Sequence, residues 1–543
     1  MRAGQESRPP PNASPPPRVT LGNTDFLRGT PVNRSCIAAA TALLVALAPR
    51  PVAAQTPTVD TSGAGVLIDQ ALTHSQAMAN LQHLTDVVGP RLTGSPAARA
   101  ANDWTLAKFK EYGLDARLEQ WNFGGTWTRG PMWMRLVAPR MHDVVAASWA
   151  WAPGTNGKTV SGPVVRIDAS TAESIEANRA RVKGAWVMLR PPQFVWNNDG
   201  PPMTAADSER QRAAFRGFVG GGQRLDSATR ARIMQFNTDQ PFLLRNAGAL
   251  GILLDAGKEQ DLLNMSGSPT RVLPLPQVVV AHEEYALFDR LLAAGVTPRL
   301  EANIQNTLNM KDSVPQWNTV AELRGSERPG QVVIVGAHLD SWDLGTGATD
   351  NGTGSIATLE AARIIAQSGL KPKRTVRFIL FTGEEQGLIG SRKYAEAHAA
   401  DADSVQAVIV LDNGAGAITG MALQGHLEAY ALWRTLLAPV HRLNADTITD
   451  AVKGGTDHLS FIPYGVPGFN FNQLTRGYNH THHSQSDTYD KAIAADLMQG
   501  SAVIAVSAFE LANLPELLAR WEKRLPVQPI VAATVSPELL RSH

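Results

Sequence analysis

The chain has 543 residues, 43% of them hydrophobic and 18% charged, which fits a folded globular protein and excludes a disordered polymer. At that length two domains plus extensions are expected. The net charge is +1; six arginines and two acids lie in the first 54 residues, leaving 44 bases against 47 acids, with no basic stripe to suggest nucleic acid as a partner.

Arg28 and Arg34 precede an apolar run from Ile37 to Ala48, and Val52-Ala53-Ala54 places small residues before Gln55. That order is the layout of a signal peptide, and the run is too short to span a bilayer comfortably. Residues 1–54 are therefore read as a signal peptide with a preceding extension, cleaved near Ala54. The mature protein is expected in the periplasm or outside the cell, with no membrane span after cleavage. Cys36 is the only cysteine and lies in that segment, so the mature chain is expected to hold no disulfide and no Cys-ligated metal.

Further along, 65–85 and 94–112 have helical apolar spacing, with a Gly/Pro loop at 89–95 between them. Segments 115–122 and 131–137 read as strands. From about 145 to 312 the pattern changes to short apolar runs broken by Gly and Pro, with 193–240 irregular and polar. A strand at 277–281 is followed by a helix at 282–294. From Val320 strand, loop and helix alternate: strands 332–335, 376–381, 408–411 and 469–471, and helices 354–368, 390–399, 427–437 and 494–514. The expected architecture is α/β, a mostly parallel central sheet flanked by helices, with an inserted β-rich domain. The expected parts are 55–144 and 313–520 for the catalytic domain, 145–312 for the insert and 521–543 for a loose tail.

In open α/β sheets, sites gather at the carboxyl ends of strands. His338 and Asp340 follow strand 332–335, Glu384 and Glu385 follow 376–381, and Asp412 follows 408–411. A lone histidine after a strand is usually structural; this one is surrounded by acids, which favours a metal ligand. Asp340 is placed to orient its imidazole. Asp350 lies in Gly347-Ala348-Thr349-Asp350-Asn351-Gly352 ahead of a helix; alone it reads as an N-cap, but flanking glycines permit close backbone approach and favour a carboxylate bridging two cations. Of the adjacent Glu384 and Glu385, one is expected to ligate and the other to serve as general base. The tract with His480, His482 and His483 adds imidazoles, and His483-Ser484-Gln485-Ser486-Asp487-Thr488 singles out His483.

His-x-Asp, a bridging Asp, Glu-Glu, Asp and His-Ser-x-x-Asp-Thr together resemble the co-catalytic zinc exopeptidases, a family that includes bacterial aminopeptidases, glutamate carboxypeptidase II and carboxypeptidase Q. His338-Leu339-Asp340-Ser341-Trp342-Asp343 and Phe381-Thr382-Gly383-Glu384-Glu385-Gln386-Gly387 look most like the carboxypeptidase Q branch. The resemblance spans roughly residues 60–515. It implies two zinc ions sharing a water, with His338 and Asp412 on one, Glu385 and His483 on the other, Asp350 bridging, and Glu384 as base. It implies hydrolysis of terminal peptide bonds, peptide partners, and a protease-associated domain at 145–312, and it is compatible with a homodimer. Where many relatives have Tyr before the last His, this chain has His482, which is expected to donate to the developing oxyanion. Asp457, in Gly454-Gly455-Thr456-Asp457-His458, is expected at a substrate amine, and Arg91 and Ser95 near the mouth of the site. Two rivals share the fold: a single-zinc cyclase of N-terminal glutamine and a non-catalytic binding module. A complete ligand set with a spare glutamate argues against both.

Overall fold

Strand Arg328–His338 is the spine of the molecule. The computed structural model describes residues 63–193, 226–271, 273–523 and 534–540; the expected signal segment with Cys36 lies outside the described residues, as do parts of 193–240 and of the tail. The spine strand pairs in parallel with Arg374–Phe381 on one side and Val405–Val410 on the other, and Val405–Val410 pairs in parallel with Gly468–Gln473. Strands Asp115–Phe123, Val314–Leu323, Ile418–Ala422 and Thr447–Thr449 extend this core to eight; their pairings are antiparallel except that Ile418–Ala422 and Thr447–Thr449 run in parallel. The sheet is mixed around a parallel centre.

The parallel strands are apolar on both faces, as burial on both sides requires. Val333 and Val335 pack into one cluster with Ile356, Leu359, Ile504 and Val506, while Val332 and Ile334 pack into another with Tyr394 and Phe461. Helices Thr353–Gln367 and Ala494–Asn513 cover the first face. Ala494–Asn513 is, among the described residues, the one helix long and apolar enough to cross a bilayer, and its apolar length is buried inside the protein.

The chain leaves the first sheet at Phe123 and rejoins it at Val314, its register partner. Between them lies a second eight-stranded sheet that starts at Met132. The strand expected at 131–137 therefore belongs to the second sheet rather than to the first: Met132–Ala138 pairs with Arg299–Ile304, a long-range choice that local pattern does not reveal. This sheet carries helices, His282–Ala293 and a 20-residue helix Ser227–Asn246. The latter occupies part of the stretch expected to be irregular. Its first half is largely exposed and polar, so apolar periodicity is missing there; Asp226 caps it, its carboxylate accepting the Thr229 amide at 2.8 Å. Part of the expected loose tail is also fixed: Ser536 donates its amide and hydroxyl to Asp239 of this helix at 2.9 and 2.6 Å.

Helix Thr353–Gln367 is buried over most of its length, including a charged pair. Arg363 and Glu360 meet at 2.7 Å with 3% and 0% of their side chains exposed, and Glu360 also accepts the Gln76 amide at 2.9 Å. Removing one partner strands the other charge. Arg363→Leu is expected to cost about 3–5 kcal/mol, read as a lower urea midpoint; an unchanged midpoint would show the pair contributes nothing.

Candidate metal centre

The sequence places an apolar strand, a histidine and then acids at the end of the spine, so the imidazole of His338 emerges where the strand stops. It is 1% exposed. Its Nδ1 lies 3.0 Å from the main-chain carbonyl of Asp340, and its Nε2 lies 3.3 Å from Asp350 Oδ1 and 3.4 Å from Asp412 Oδ1. The orienting contact expected of Asp340 thus comes from its carbonyl; its carboxylate is 3.7 Å from Nδ1. That carboxylate instead accepts the amides of Glu384 and Glu385, each at 3.3 Å, and the Thr93 hydroxyl at 2.9 Å.

Asp350 sits in the turn Ala348–Gly352, joined to Asn351 by a cis peptide bond. Main-chain stitching fixes it against the strand ends. Ser355 donates its hydroxyl to the His338 carbonyl at 2.6 Å, and the Asn351 amide donates to the Leu411 carbonyl at 2.9 Å. Gly354 permits this approach, since a Cβ there would stand 2.4 Å from the Leu411 oxygen. The opposite edge of Asp350 faces His483, whose Nε2 is 3.4 Å from Oδ2, while Glu385 Oε2 lies 3.1 Å from the same nitrogen.

Two groups of donor atoms therefore meet at Asp350: His338, Asp350 and Asp412 in one, Asp350, His482 and His483 in the other, each within 4.8 Å. Glu385 adjoins the second. Asp350 Oδ2 and Glu385 Oε1 are buried without a hydrogen-bond partner, a costly state for a carboxylate unless a cation completes it. A cavity of about 10 Å³, the scale of one water or ion, is lined by Asp350, Glu385, His483 and Asp487.

His482 is 43% exposed, lies 3.9 Å from Asp350 and stacks on His483 with ring centres 3.7 Å apart. Glu384 is half-buried, and its carboxylate makes no protein hydrogen bond among the described residues. Asp457 is fully buried with both oxygens unpartnered, so it does not present an open face to a substrate amine. Arg91 departs from expectation most: it is fully buried and donates to the carbonyls of Gly89, Leu339, Thr346 and Gly347 at 2.7–3.1 Å, tying the turn before Asp350 in place instead of facing substrate. Ser95 caps helix Pro96–Glu111, accepting the Ala98 amide. One further residue matters: Asp487 accepts the amides of Thr349 at 2.6 Å and Asp350 at 3.1 Å. It stood in the His483–Thr488 motif, without a role assigned to it.

The charges are strongly coupled. Burial works to lower the His338 pKa, but Asp412 and Glu384 prevail and hold it well above its usual value. Burial pushes Glu384 and Glu385 well up, and Asp457 and Asp487 up to about 7. His482 is pushed down to about 4 by burial and so stays neutral near pH 7.

An α/β sheet that gathers imidazoles and carboxylates around one central aspartate at its strand ends is the arrangement of a metal-dependent hydrolase. Residues 318–508 match the model of peptidase family M28, and the chain is a metallo-exopeptidase. It is 28% identical to carboxypeptidase Q of Rattus norvegicus over 438 residues, covering 80% of this chain and 85% of that one. Its fold superposes on a peptidase M28 precursor from Shewanella amazonensis SB2B with a TM-score of 0.68 at 24% identity, covering 85% and 98% of the two chains. A zinc aminopeptidase from Bacillus subtilis gives a TM-score of 0.55 at 16% identity, covering 82% and 97%.

The pKa directions set a pH dependence for chelator-stripped protein. Asp457 and Asp487 ionise at about 7 when folded, against the ordinary 3.8, so the folded chain binds more protons than the unfolded one between those values. Through these two acids the stability of the stripped protein is expected to fall as pH rises from about 4 to about 7, while His458 and His482, which burial holds down to about 3 and about 4 against the ordinary 6.5, act in the opposite sense; added metal should offset the loss. Asp487→Asn, which removes one of these acids, should flatten the fall; a melting-temperature profile with the wild-type slope across that window would contradict the placement of this acid.

Proposed function

We propose that the chain is an exported zinc-dependent exopeptidase that hydrolyses terminal bonds of peptides or dipeptides and holds two zinc ions. One observation carries this reading. Tetrahedral ligands about 2.0–2.1 Å from a zinc ion stand about 3.3–3.4 Å apart. The four close separations around Asp350 are 3.3 and 3.4 Å on the His338 side and 3.4 and 3.1 Å on the His483 side. Asp350 offers Oδ1 to one side and Oδ2 to the other, as a bridging carboxylate does.

His338 and Asp412 complete one site, and Glu385 and His483 the other. Glu385 is preferred to His482 as a ligand because its side chain is 2% exposed and reaches His483, whereas His482 is 43% exposed and more distant. Zinc held there would lower the pKa of the attacking water and polarise the scissile carbonyl. Glu384, whose carboxylate makes no protein hydrogen bond among the described residues, would take the proton from that water and deliver it to the leaving amine. Asp340 holds the Glu384 and Glu385 amides, so base and ligand keep a fixed spacing. Neutral His482 donates to the carbonyl oxygen as charge develops there. The second sheet is read as the inserted domain, shaping access to this centre. The charged, apolar, small-residue order of the N-terminus supports export.

The test is zinc per chain on purified protein, with hydrolysis of dipeptides, free-amine peptides and N-blocked peptides. About two zincs with cleavage of terminal bonds supports the reading, and the blocked peptides separate removal from the amino and carboxyl ends. One zinc without hydrolysis, or none, would reject it. Glu384→Gln is expected to lower kcat by about 10²–10⁴-fold with zinc content unchanged. Asp350→Ala should lose zinc; full occupancy in that variant would remove the bridge.

A further inference from the structure

The loop that carries His482 and His483 is held from outside its own sheet. Lys258, in the loop after strand Gly251–Asp255 of the second sheet, donates to the carbonyls of Asn479 and His482, both at 2.6 Å. The Met265 amide donates to the His483 carbonyl at 2.8 Å. Gln485 is gripped at both ends, its Oε1 accepting the Leu263 amide and its Nε2 donating to the Asp261 carbonyl, each at 2.9 Å. Trp342 packs edge-on against His483 at 5.8 Å and against Trp151 at 6.3 Å. His483 itself has φ +58, in the left-handed region. A side-chain-bearing residue there is strained and persists only where the surroundings fix it.

We infer that Lys258 is a positioning residue for the Glu385–His483 half of the metal centre, so that docking of the 258–265 loop decides whether the second ion is held. The inference rests on the two-zinc reading above. The His338–Asp412 half does not share this dependence, because its ligands stand at strand ends and are stitched by Ser355 and Asn351. The role of Lys258 is to present hydrogen-bond donors to the Asn479 and His482 carbonyls of the loop that carries both histidines.

Zinc titration of wild type, Lys258→Met and Lys258→Arg, following both ions by metal analysis after dialysis at graded free zinc, tests this. The wild type is expected to hold two ions. Lys258→Met is expected to keep the first at wild-type affinity and to bind the second about 10–100-fold more weakly, with turnover returning as zinc is raised; Lys258→Arg, which restores donors, should recover part of the loss. Gln485→Ala, which breaks the neighbouring contacts and touches no metal, should weaken the second ion alone and carries the test if Lys258→Met does not fold. Two ions at unchanged affinity in both Lys258→Met and Gln485→Ala would overturn the clamp and leave the two-zinc reading standing. Parallel weakening of both ions would overturn its selectivity. A wild type that holds a single ion would overturn the two-zinc reading, and the clamp with it.

Discussion

Carboxylate crowding is the constraint around which the catalytic half is organised. Asp340, Asp350, Glu384, Glu385, Asp412, Asp457 and Asp487 gather near two buried or half-buried imidazoles, His338 and His483. Like charges brought together out of water repel, and burial raises the pKa of most of these acids. A fold tolerates such a cluster when the acids cannot move apart and when something cationic offsets them. Strands three abreast supply the first condition. The unpartnered oxygens of Asp350 and Glu385 mark where the second is met.

Much of the polar structure nearby serves this immobility. Arg91 does not neutralise the acids by contact; it holds four carbonyls, and its burial lowers its own pKa to about 10. Asp487 grips the amides of Thr349 and Asp350, and Asp340 those of Glu384 and Glu385. One carboxylate thus fixes the backbone that carries another. Gly347, at φ +64 with no room for a Cβ beside Ser341 and Arg91, lets the turn close over that guanidinium. These are main-chain contacts, so they set where side chains start instead of touching what they do.

That distinction explains what the sequence revealed. The strand ends and their acids were legible because apolar β-branched runs stop abruptly at His338, Glu384 and Asp412, and period and position are local properties. The parallel core and its two helical coats followed from alternation. The antiparallel pairings beside the core, the sheet to which strand Met132–Ala138 belongs and the helix Ser227–Asn246 were not legible, because long-range pairing or one-sided burial decides them. Arg91 was set near the mouth of the site by resemblance alone, and only the fold shows the four carbonyls around it. Lys258 had no signal at all, since its partners lie more than 200 residues further along.

The two halves of the centre are consequently built on different principles. His338, Asp350 and Asp412 descend from strand ends and a helix start within one sheet, and their geometry is a property of that sheet. His483 sits on a loop, in a left-handed conformation, with its carbonyl and its neighbours' carbonyls bonded to residues from the second sheet. Asp350 joins the halves through a single carboxylate, so any slackness in the loop reaches the rigid side only through that group. A centre built this way has one half set by the core and one half set by contact between two sheets, which gives the second sheet a physical hold on the chemistry although it contributes none of the proposed metal ligands.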